Sequence, residues 1–381
     1  MSSTKTVQLS LGSNLEDKLN NLQDAIFAIH KTAGAVVRIS PVYQSTAWGF
    51  EADDFLNLCI TIQTELSPEA LLETLLKIEI QLGRVRLQED GYEPRKIDID
   101  ILYYEKEKIF KDHLVIPHPE LPFRKFVLRP LADIAPQFYH PVLNKDSRNL
   151  LQECRDKGKL HKTHHRLFKD KQDLFAHTNF IAIEGNIGAG KTTLANKIAE
   201  DFNGKLVLER FADNPFLPKF YEDQSRYAFP LEMSFLADRY QQFTDDTSQY
   251  DLFKSFMVSD YDIYKSLIFA QVTLQKEEFE LYRKLFNLMY KEVKKPKIYV
   301  YLYQNTERLL ENIKKRGRDY EQNIKPEYLE KINSGYFDFI KSYPEQNNLI
   351  IDLGDMDFVK NSEDYETLVD KILKFAVHLP L

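Results

Sequence analysis

Residues Phe180–Phe202, FIAIEGNIGAGKTTLANKIAEDF, decide the fold of the second half of the chain. The stretch opens with four apolar residues of the kind found in buried strands, and a glycine-rich turn follows at Gly185–Lys191. From Thr192 onward apolar residues recur at helical spacing. A glycine-rich turn between a strand and a helix can point backbone N–H groups and the positive end of the helix at an anion.

The turn also carries the Walker A spacing Gly185-x4-Gly190-Lys191-Thr192. It predicts a nucleoside triphosphate site in which Lys191 reaches the β- and γ-phosphates and the Thr192 hydroxyl ligates Mg²⁺. A glycine-rich turn without a ligand is the simpler interpretation, but it leaves the Lys-Thr pair at the helix start unexplained. The predicted ATP-binding residues here are Gly185, Asn186, Gly188, Ala189, Gly190, Lys191, Thr192 and Thr193.

Composition restricts the class of protein. A chain of 381 residues predicts two or three domains, and its net charge of −7 argues against generic binding to nucleic acid or to membrane surfaces. The two cysteines, Cys59 and Cys154, have no metal-ligand spacing and suit a reducing compartment. Because neither a signal peptide nor a long apolar run is evident, we expect a cytoplasmic protein without membrane partners.

The first half alternates strands and helices. Strands are predicted at Val7–Leu11, 35–43, 55–66 and 96–104, with helices at 15–31 and 67–82. The order β-α-β-β-α-β predicts a ferredoxin-like α+β domain, and the proline-punctuated residues beyond it read as loops and short elements.

The second half predicts a different architecture. Short strands at 180–183, 206–208, 256–258, 298–302 and 349–351 are separated by long helical stretches such as 278–293 and 306–315. This pattern predicts an α/β kinase domain whose parallel sheet is flanked by helices. Residues 155–171 hold seven Lys or Arg against two Asp, so we predict domains at 1–154 and 179–381 joined by a basic linker at 155–178.

An unusual set of charges lies between residues 79 and 126. In IDIDI at 97–101, Asp98 and Asp100 project from one face of a strand, about 7 Å apart. Two interpretations are open: the carboxylates form the solvated face of an edge strand, or they bind a pair of Mg²⁺ ions. In the second case arginines around them would hold a polyphosphate. The other members are Glu79, Arg84, Arg86, Arg95, His118 and Arg124.

Several stretches of this half together resemble one family: SLGSN at 10–14, DFLN at 54–57, LGRVR at 82–86, EPRKIDIDIL at 93–102 and IPHPELPFRKFVLRPL at 116–131. The family is 6-hydroxymethyl-7,8-dihydropterin pyrophosphokinase, and the resemblance covers residues 5–152. It implies transfer of a pyrophosphoryl group from ATP to the pterin hydroxymethyl, in folate biosynthesis.

The same resemblance implies roles for individual residues. Asp98 and Asp100 coordinate two Mg²⁺ ions, and Phe55 and Phe126 stack on the pterin while Asn57 bonds its edge. Phosphate contacts are implied for Arg84, Arg95, His118, Arg124 and Arg86, with Tyr92 in a loop that closes over the site.

In the second half, Glu209 follows a short apolar run and so lies at the end of a strand, where open α/β sheets bind ligands. A carboxylate there can take the proton of an attacking hydroxyl. Beyond a predicted helix, Arg316 and Arg318 suit a lid over a transferring phosphate, although cations also favour a helix end on their own.

These stretches resemble the deoxyribonucleoside kinases, in particular the bacterial purine type: EGNIGAGKTT at 184–193, LERFADNPFLPKFYED at 208–223, FPLEMSFLADRYQQ at 229–242, SDYDIYKSLIFA at 259–270 and KKRGRDYEQNIKPEYLEKI at 314–332. The resemblance implies transfer of the ATP γ-phosphate to a deoxynucleoside 5′-hydroxyl, with one Mg²⁺. The implied roles are base for Glu209, sugar contacts for Tyr221 and Glu321, a nucleobase contact for Arg239, phosphate contacts for the lid residues Arg316 and Arg318, and metal binding for Asp260. It also implies a homo-oligomer formed through the kinase domain.

Two departures from that family pattern matter. The usual arginine after the acidic residue is absent in Asp260-Tyr261-Asp262, and our hypothesis is that Arg210 replaces it. The position that often holds Gln against the base is Glu232, which only accepts hydrogen bonds when ionised and so favours a purine over thymine. Hydrogen-bond counting favours guanine, whereas the bacterial resemblance places deoxyadenosine first, and we expect deoxyadenosine.

Two other functions stay open for the second half. A nucleoside monophosphate kinase must bind an acceptor phosphate, which Glu209 would repel. A regulatory P-loop module is supported only by the altered Asp260-Tyr261-Asp262 segment.

Overall fold

The computed structural model describes residues 4–46, 53–84, 95–210, 214–248, 253–291 and 293–380. The chain divides into two compact units, Met1–Leu174 with Val377–Leu381, and Phe175–Ala376. In the described residues, no helix is long and apolar enough to cross a membrane.

The first unit is built on a sheet with helices. Its strands are β1 (Lys5–Ser13), β2 (Ala35–Ile39), β3 (Tyr43–Ser45), β4 (Phe55–Thr64), β5 (Asp98–Tyr104), β6 (Ile109–Lys111), β7 (Leu114–Ile116) and β8 (Leu160–Lys162). Its helices are α1 (Lys18–Thr32), α2 (Pro68–Gln81), α3 (Lys125–Ile134), α4 (Ser147–Glu153) and, at its end, α5 (Lys171–Thr178).

The main sheet of this unit has the order β5-β1-β4-β3-β8, and β2 also pairs with β4. The central strand β1 runs antiparallel to both β4 and β5. The predicted β-α-β-β-α-β order and the ferredoxin-like α+β class are confirmed. One predicted strand, over 35–43, is wrong in detail: it is split into β2 and β3, and Pro41 between them has no N–H to donate to a sheet.

The proline-rich residues after β7 hold a longer helix than the short elements we predicted. The helix α3 spans ten residues with Pro130 inside it. Proline removes one helical hydrogen bond, but Val127, Leu128 and Leu131 bury this face of the helix in an apolar cluster. Burial of the apolar face compensates for the lost bond.

The segment predicted as a basic linker contains β8, which pairs antiparallel with β3, and α5. The many Lys and Arg residues of this segment led us to predict a linker. Backbone pairing does not require apolar side chains, so a strand can form there. The domain limits 1–154, 155–178 and 179–381 stay predictions.

The second unit is a parallel α/β structure. Its strands are β9 (Phe180–Gly185), β10 (Gly204–Val207), β11 (Phe256–Ser259), β12 (Ile298–Tyr303) and β13 (Asn348–Asp352). Its helices are α6 (Lys191–Asp201), α7 (Leu217–Glu222), α8 (Gln224–Ser248), α9 (Tyr264–Thr273), α10 (Lys276–Tyr290), α11 (Thr306–Arg316), α12 (Pro326–Ser342) and α13 (Ser362–Val377).

All five predicted strands of this unit are confirmed, and they form one parallel sheet in the order β10-β11-β9-β12-β13. Every residue of β9 is buried, as expected of a central strand covered on both faces. Because the strands are parallel, the residues that follow β9, β10 and β11 meet at one edge of the sheet. The P-loop, Glu209 and Asp260 are brought together in this way.

Candidate active sites

In the first unit, Asp98 and Asp100 lie on β5 and alternate with the buried Ile99 and Ile101, as the sequence pattern predicted. Asp98 is held by two cations: Arg84 Nη1 lies 2.7 Å from its Oδ1, and Arg95 Nη1 lies 2.7 Å from its Oδ2. The structure therefore brings Arg84 and Arg95, two of the predicted phosphate contacts, to one of the two predicted metal ligands.

A further carboxylate, Glu79 on α2, organises this cluster. Its side chain is buried, pairs with Arg84 and accepts a hydrogen bond from the Ile99 backbone N–H at 2.8 Å. Glu79 was part of the charge cluster in the sequence but carried no predicted role. Its contacts show that it fixes Arg84 against β5.

The other predicted metal ligand, Asp100, faces His118, whose Nε2 lies 3.9 Å from its Oδ1. Burial and the neighbouring charge of Asp98 raise the pKa of Asp100 to about 7, and the charge of Arg124 opposes that rise. Burial and Arg124 lower the pKa of His118. Two adjacent carboxylates with nearby arginines are the hard oxygen donors and counter-charges that Mg²⁺ with a polyphosphate requires, so the residues fit the metal.

The residues predicted to bind the pterin lie on β4 and α3 of the same unit. Phe55 and Asn57 are on β4, and a Cβ built at Gly12 of β1 would come within 3.2 Å of Asn57 Oδ1 and 3.8 Å of the Phe55 ring. Asn57 is buried and donates to Ser45 Oγ at 2.9 Å. Phe126 lies on α3 and is half-buried against the apolar cluster of that helix. Arg86 and Tyr92 lie outside the described residues.

In the second unit, the loop after β9 has the geometry of a phosphate cradle. Gly188 and Gly190 adopt φ values of 85° and 86°, which favour glycine. A Cβ at Gly190 would lie 2.7 Å from the Phe358 ring, and one at Gly188 would lie 2.9 Å from the Leu309 carbonyl oxygen. Helix α6 begins directly after this loop, so its N-terminus faces the predicted phosphate site.

The Lys191 side chain folds back onto this loop. Its Nζ donates to the Asn186 carbonyl oxygen at 2.9 Å. Burial and the positive charge of Lys265 lower the pKa of Lys191 to about 8. Asn186 is itself held by α12, because its side chain donates to the Leu329 carbonyl at 2.8 Å and to Asn333 Oδ1 at 2.9 Å.

The predicted metal ligands of this unit are in direct contact, since the Thr192 hydroxyl donates to Asp260 Oδ2. The other carboxylate oxygen of Asp260 accepts from the Glu209 backbone N–H at 2.8 Å. One hydroxyl and one carboxylate beside a phosphate-binding loop form the partial oxygen shell that Mg²⁺ completes with water and phosphate. The residues fit one Mg²⁺ ion.

The predicted base Glu209 is buried between two cations. Arg239 Nη2 lies 2.6 Å from Oε1, and Lys265 Nζ lies 2.5 Å from Oε2. Burial alone would raise the pKa of this carboxyl, but the charges of Lys265 and Arg239 outweigh burial and lower the pKa to about 2. Glu209 is therefore ionised, and it suits a hydroxyl that loses its proton late, as in a loose phosphoryl-transfer transition state.

The hypothesis that Arg210 replaces the missing family arginine stays a prediction. Arg210 is exposed, whereas the side chains that contact Glu209 are Arg239 and Lys265. Sequence reasoning missed Lys265. The available signal was a single lysine at the start of α9, five residues after Asp260.

Arg239 was predicted to contact the nucleobase, and the structure places its guanidinium on Glu209 instead. It also donates to Ser266 Oγ at 2.7 Å and lies over the Phe235 ring at 4.6 Å. A nucleobase contact by Arg239 stays a prediction.

The lid and sugar residues are joined to each other. Both predicted lid arginines reach the buried carboxylate of Glu321: Arg316 forms an ion pair, and Arg318 Nη1 lies 3.2 Å from Oε1. Tyr221, the other predicted sugar contact, stacks on Tyr320 with ring centroids 6.2 Å apart. A sugar hydroxyl bound to Glu321 would therefore compete with both arginines for this carboxylate.

Two cavities meet at this site. The larger, of about 650 Å³, is lined by the P-loop, by α11 and by residues 353–360. The smaller, of about 110 Å³, is lined by Glu209, Tyr221, Glu232, Arg239, Asp260 and Glu321, with aromatic walls from Phe220, Phe235, Phe269 and Tyr328. Lys191, Thr192, Arg316 and Arg318 line both cavities. The residues predicted to contact phosphate or Mg²⁺ thus lie where the two cavities meet.

Comparison with known proteins assigns each half. The deoxynucleoside kinase family model matches residues 181–377, and the 7,8-dihydro-6-hydroxymethylpterin-pyrophosphokinase family model matches residues 8–136. The chain belongs to both families. It joins a pterin pyrophosphokinase domain to a deoxynucleoside kinase domain, and ATP is the co-substrate of both.

Individual relatives agree with this division. Deoxyguanosine kinase of Bacillus subtilis is 40% identical over 203 residues, covering 52% of this chain and 98% of the relative. The 2-amino-4-hydroxy-6-hydroxymethyldihydropteridine pyrophosphokinase of Synechocystis sp. is 41% identical over 146 residues, covering 38% of this chain and 74% of the relative. A structure of deoxyadenosine kinase from M. mycoides with bound dATP is 25% identical, with a TM-score of 0.45, and covers 51% of this chain and 98% of that one.

Proposed function

We propose that the kinase domain transfers the γ-phosphate of Mg·ATP to the 5′-hydroxyl of a purine deoxynucleoside. The observation that carries this proposal is the junction of the two cavities, where Lys191, Thr192, Arg316 and Arg318 line both. ATP would occupy the larger cavity with its phosphates on the P-loop. The deoxynucleoside would occupy the smaller cavity with its 5′-hydroxyl beside Glu209.

In this arrangement each charged group has a task. Lys191 and the N-terminus of α6 bind the phosphates, and Thr192 with Asp260 would hold the Mg²⁺ that neutralises them. Glu209 orients the 5′-hydroxyl and accepts its proton, while Arg316 and Arg318 move from Glu321 toward the transferring phosphoryl group. Tyr221 and Glu321 bind the 3′-hydroxyl.

The purine preference rests on Glu232, a buried carboxylate on α8 in the wall of the smaller cavity. Thymine would present one N–H flanked by two carbonyl oxygens that repel this carboxylate, whereas guanine presents two adjacent N–H donors and adenine presents an amino group without flanking carbonyls. The sequence placed deoxyadenosine first, and the 40% identical B. subtilis relative is a deoxyguanosine kinase. We propose that both deoxynucleosides are substrates.

For the first domain we propose pyrophosphoryl transfer from ATP to 6-hydroxymethyl-7,8-dihydropterin, with Asp98 and Asp100 holding two Mg²⁺ ions. Arg84, Arg95, His118 and Arg124 surround these carboxylates and would contact the phosphates. Phe55, Asn57 and Phe126 would bind the pterin ring, and Arg86 would join the phosphate contacts.

We further propose a cytoplasmic homo-oligomer that associates through the kinase domain. On α10, Leu281 and Leu288 are seven residues apart, hence on one face of the helix, and 50% and 67% exposed. Exposed leucines on one helix face suit contact with a second copy of the chain. Light scattering coupled to size-exclusion chromatography of the wild type and of Leu288→Glu tests this assembly.

One experiment tests the two activities. Purified protein with Mg·ATP is given each of the four deoxynucleosides, their monophosphates and 6-hydroxymethyl-7,8-dihydropterin, and each product is identified by mass. We expect dGMP and dAMP from the nucleosides and the pterin pyrophosphate from the pterin. Diphosphates formed from monophosphates, without phosphorylation of nucleosides, would refute the proposed acceptor.

A further inference from the structure

Glu232 has an unsatisfied oxygen in the wall of the acceptor cavity. Its Oε1 accepts a hydrogen bond from the Thr273 hydroxyl at 3.1 Å. Its Oε2 is buried and has no hydrogen-bond partner among the described residues. A buried polar atom without a partner is destabilising, so this oxygen is suited to a group that a ligand supplies.

No cation neutralises Glu232 in the described structure, because the neighbouring charges are engaged elsewhere. Arg239, two helical turns further along α8, is committed to Glu209 and Ser266. Lys265 of α9 is paired with Glu209. The charged groups that interact electrostatically with Glu232 are Arg239, Lys265 and Glu209. Three tyrosine hydroxyls from other helices also interact with it: Tyr221 of α7, Tyr282 of α10 and Tyr328 of α12.

The two purines present different edges to such a carboxyl group. Guanine offers two adjacent donors, N1–H and N2–H. Adenine offers one donor at N6 and one acceptor at N1. An ionised carboxylate has two acceptors, whereas a protonated carboxyl has one donor and one acceptor. Ionised Glu232 therefore matches guanine, and protonated Glu232 matches adenine.

We propose that a single proton on Glu232 decides which purine the kinase domain accepts: deoxyguanosine binds the ionised carboxylate and deoxyadenosine binds the protonated carboxyl. The inference rests on the proposed function, because it concerns the same acceptor site. It makes Glu232 a selectivity residue whose preference follows pH.

The electrostatic surroundings keep both forms accessible. Burial raises the pKa of Glu232 to about 7, against the smaller opposing effects of Arg239 and the Thr273 hydroxyl. Below that pH the protonated form predominates, and above it the ionised form predominates. The ratio of ionised to protonated Glu232 rises about tenfold for each pH unit.

The test is the ratio of kcat/KM for deoxyguanosine to kcat/KM for deoxyadenosine, measured on the full chain between pH 6 and pH 8.5. We expect the ratio to rise with pH, by up to about tenfold for each pH unit near the transition. Deoxyinosine, which keeps N1–H but has no 2-amino group, should follow the pH trend of deoxyguanosine. Taking a ratio cancels the pH dependence of steps that the two substrates share.

Two variants sharpen the test. Glu232→Gln carries no titrating proton, so its ratio should be independent of pH. Glu330→Gln makes the same chemical change at an exposed position of α12 and should keep the wild-type slope.

The outcomes separate the inference from the function beneath it. A wild-type ratio that changes less than about twofold over the range, or an equal slope in Glu232→Gln, overturns the inference while leaving purine phosphorylation intact. Absence of any deoxynucleoside phosphorylation would instead refute the proposed function.

Discussion

The two predicted ATP sites of this chain supply positive charge for the phosphates by different means. In the pyrophosphokinase domain the counter-charges are side chains: Arg84 and Arg95 already contact Asp98 before any nucleotide is bound. In the kinase domain the predicted phosphate site is a backbone loop with a helix N-terminus, and Lys191 donates a hydrogen bond to the Asn186 carbonyl. If both sites bind Mg·ATP as proposed, the first would exchange the ion pairs of Asp98, and the second would release Lys191 from Asn186 and Arg316 and Arg318 from Glu321.

The carboxylates of the two sites show the consequence. Asp100 and Glu209 are acids at the two predicted sites, yet the pKa of Asp100 is raised to about 7 and that of Glu209 is lowered to about 2. Asp100 has another carboxylate, Asp98, as its strongest charged neighbour, whereas Glu209 lies between Lys265 and Arg239. Burial alone does not decide the charge of an acid, because the sign of its neighbours does.

The largest expected effect comes from Lys191→Ala. Removing the cation proposed to reach the β- and γ-phosphates should reduce deoxynucleoside phosphorylation by at least about 10³-fold. Pterin pyrophosphorylation by the same preparation should keep the wild-type rate, because the first domain binds ATP without a P-loop. A parallel loss of the pterin activity would favour a regulatory role for the P-loop over two independent catalysts.

The reciprocal change is Asp100→Asn, which removes a predicted ligand of both Mg²⁺ ions. We expect pterin pyrophosphorylation to fall by about 10²–10³-fold while deoxynucleoside phosphorylation is unchanged. Both rates are measured with Mg·ATP in one preparation. Full pterin activity in this variant would show that Asp100 is not a required metal ligand.

A smaller effect separates Lys265 from Arg210. Lys265→Met removes one of the two cations on Glu209, and we expect kcat/KM for the deoxynucleoside to fall by about 10²-fold. Since Lys265 lowers the pKa of Glu209, its loss raises that pKa, and the acidic limb of the pH–rate profile should move to higher pH. Arg210→Ala is the matched control, and we expect it to retain wild-type turnover. A loss confined to Arg210→Ala would instead support Arg210 as the replacement for the missing family arginine.

The smallest effect concerns stability. The Tyr336 hydroxyl donates to the buried Glu184 carboxylate at 2.8 Å, directly before the P-loop. Tyr336→Phe should destabilise the kinase domain by about 1–2 kcal/mol and lower its melting midpoint by several degrees. Calorimetry should show no change in the unfolding of the first domain, and an unchanged kinase transition would mean that Glu184 finds another donor.

Local patterns predicted much of this molecule because they depend on neighbours in the chain. The five parallel strands, the P-loop and the alternation around Asp98 and Asp100 follow from periodicity and from glycine placement. The split of the strand at Pro41 and the helix through Pro130 were missed. Both depend on partners distant in sequence: β4 for the split strand, and the apolar cluster against α3 for the helix.

By itself the sequence determined the two domains, their chemistry and most of the residues that line their sites, because those residues occur in contiguous motifs. Tertiary structure decided which charges face one another. It placed Lys265 and Arg239 on Glu209, and it left Glu232 with a buried oxygen that has no partner among the described residues. The physical reason is that charge and hydrogen-bond partners act over a few ångströms in space, and only the packing of α8 and α9 against the strand ends sets those distances.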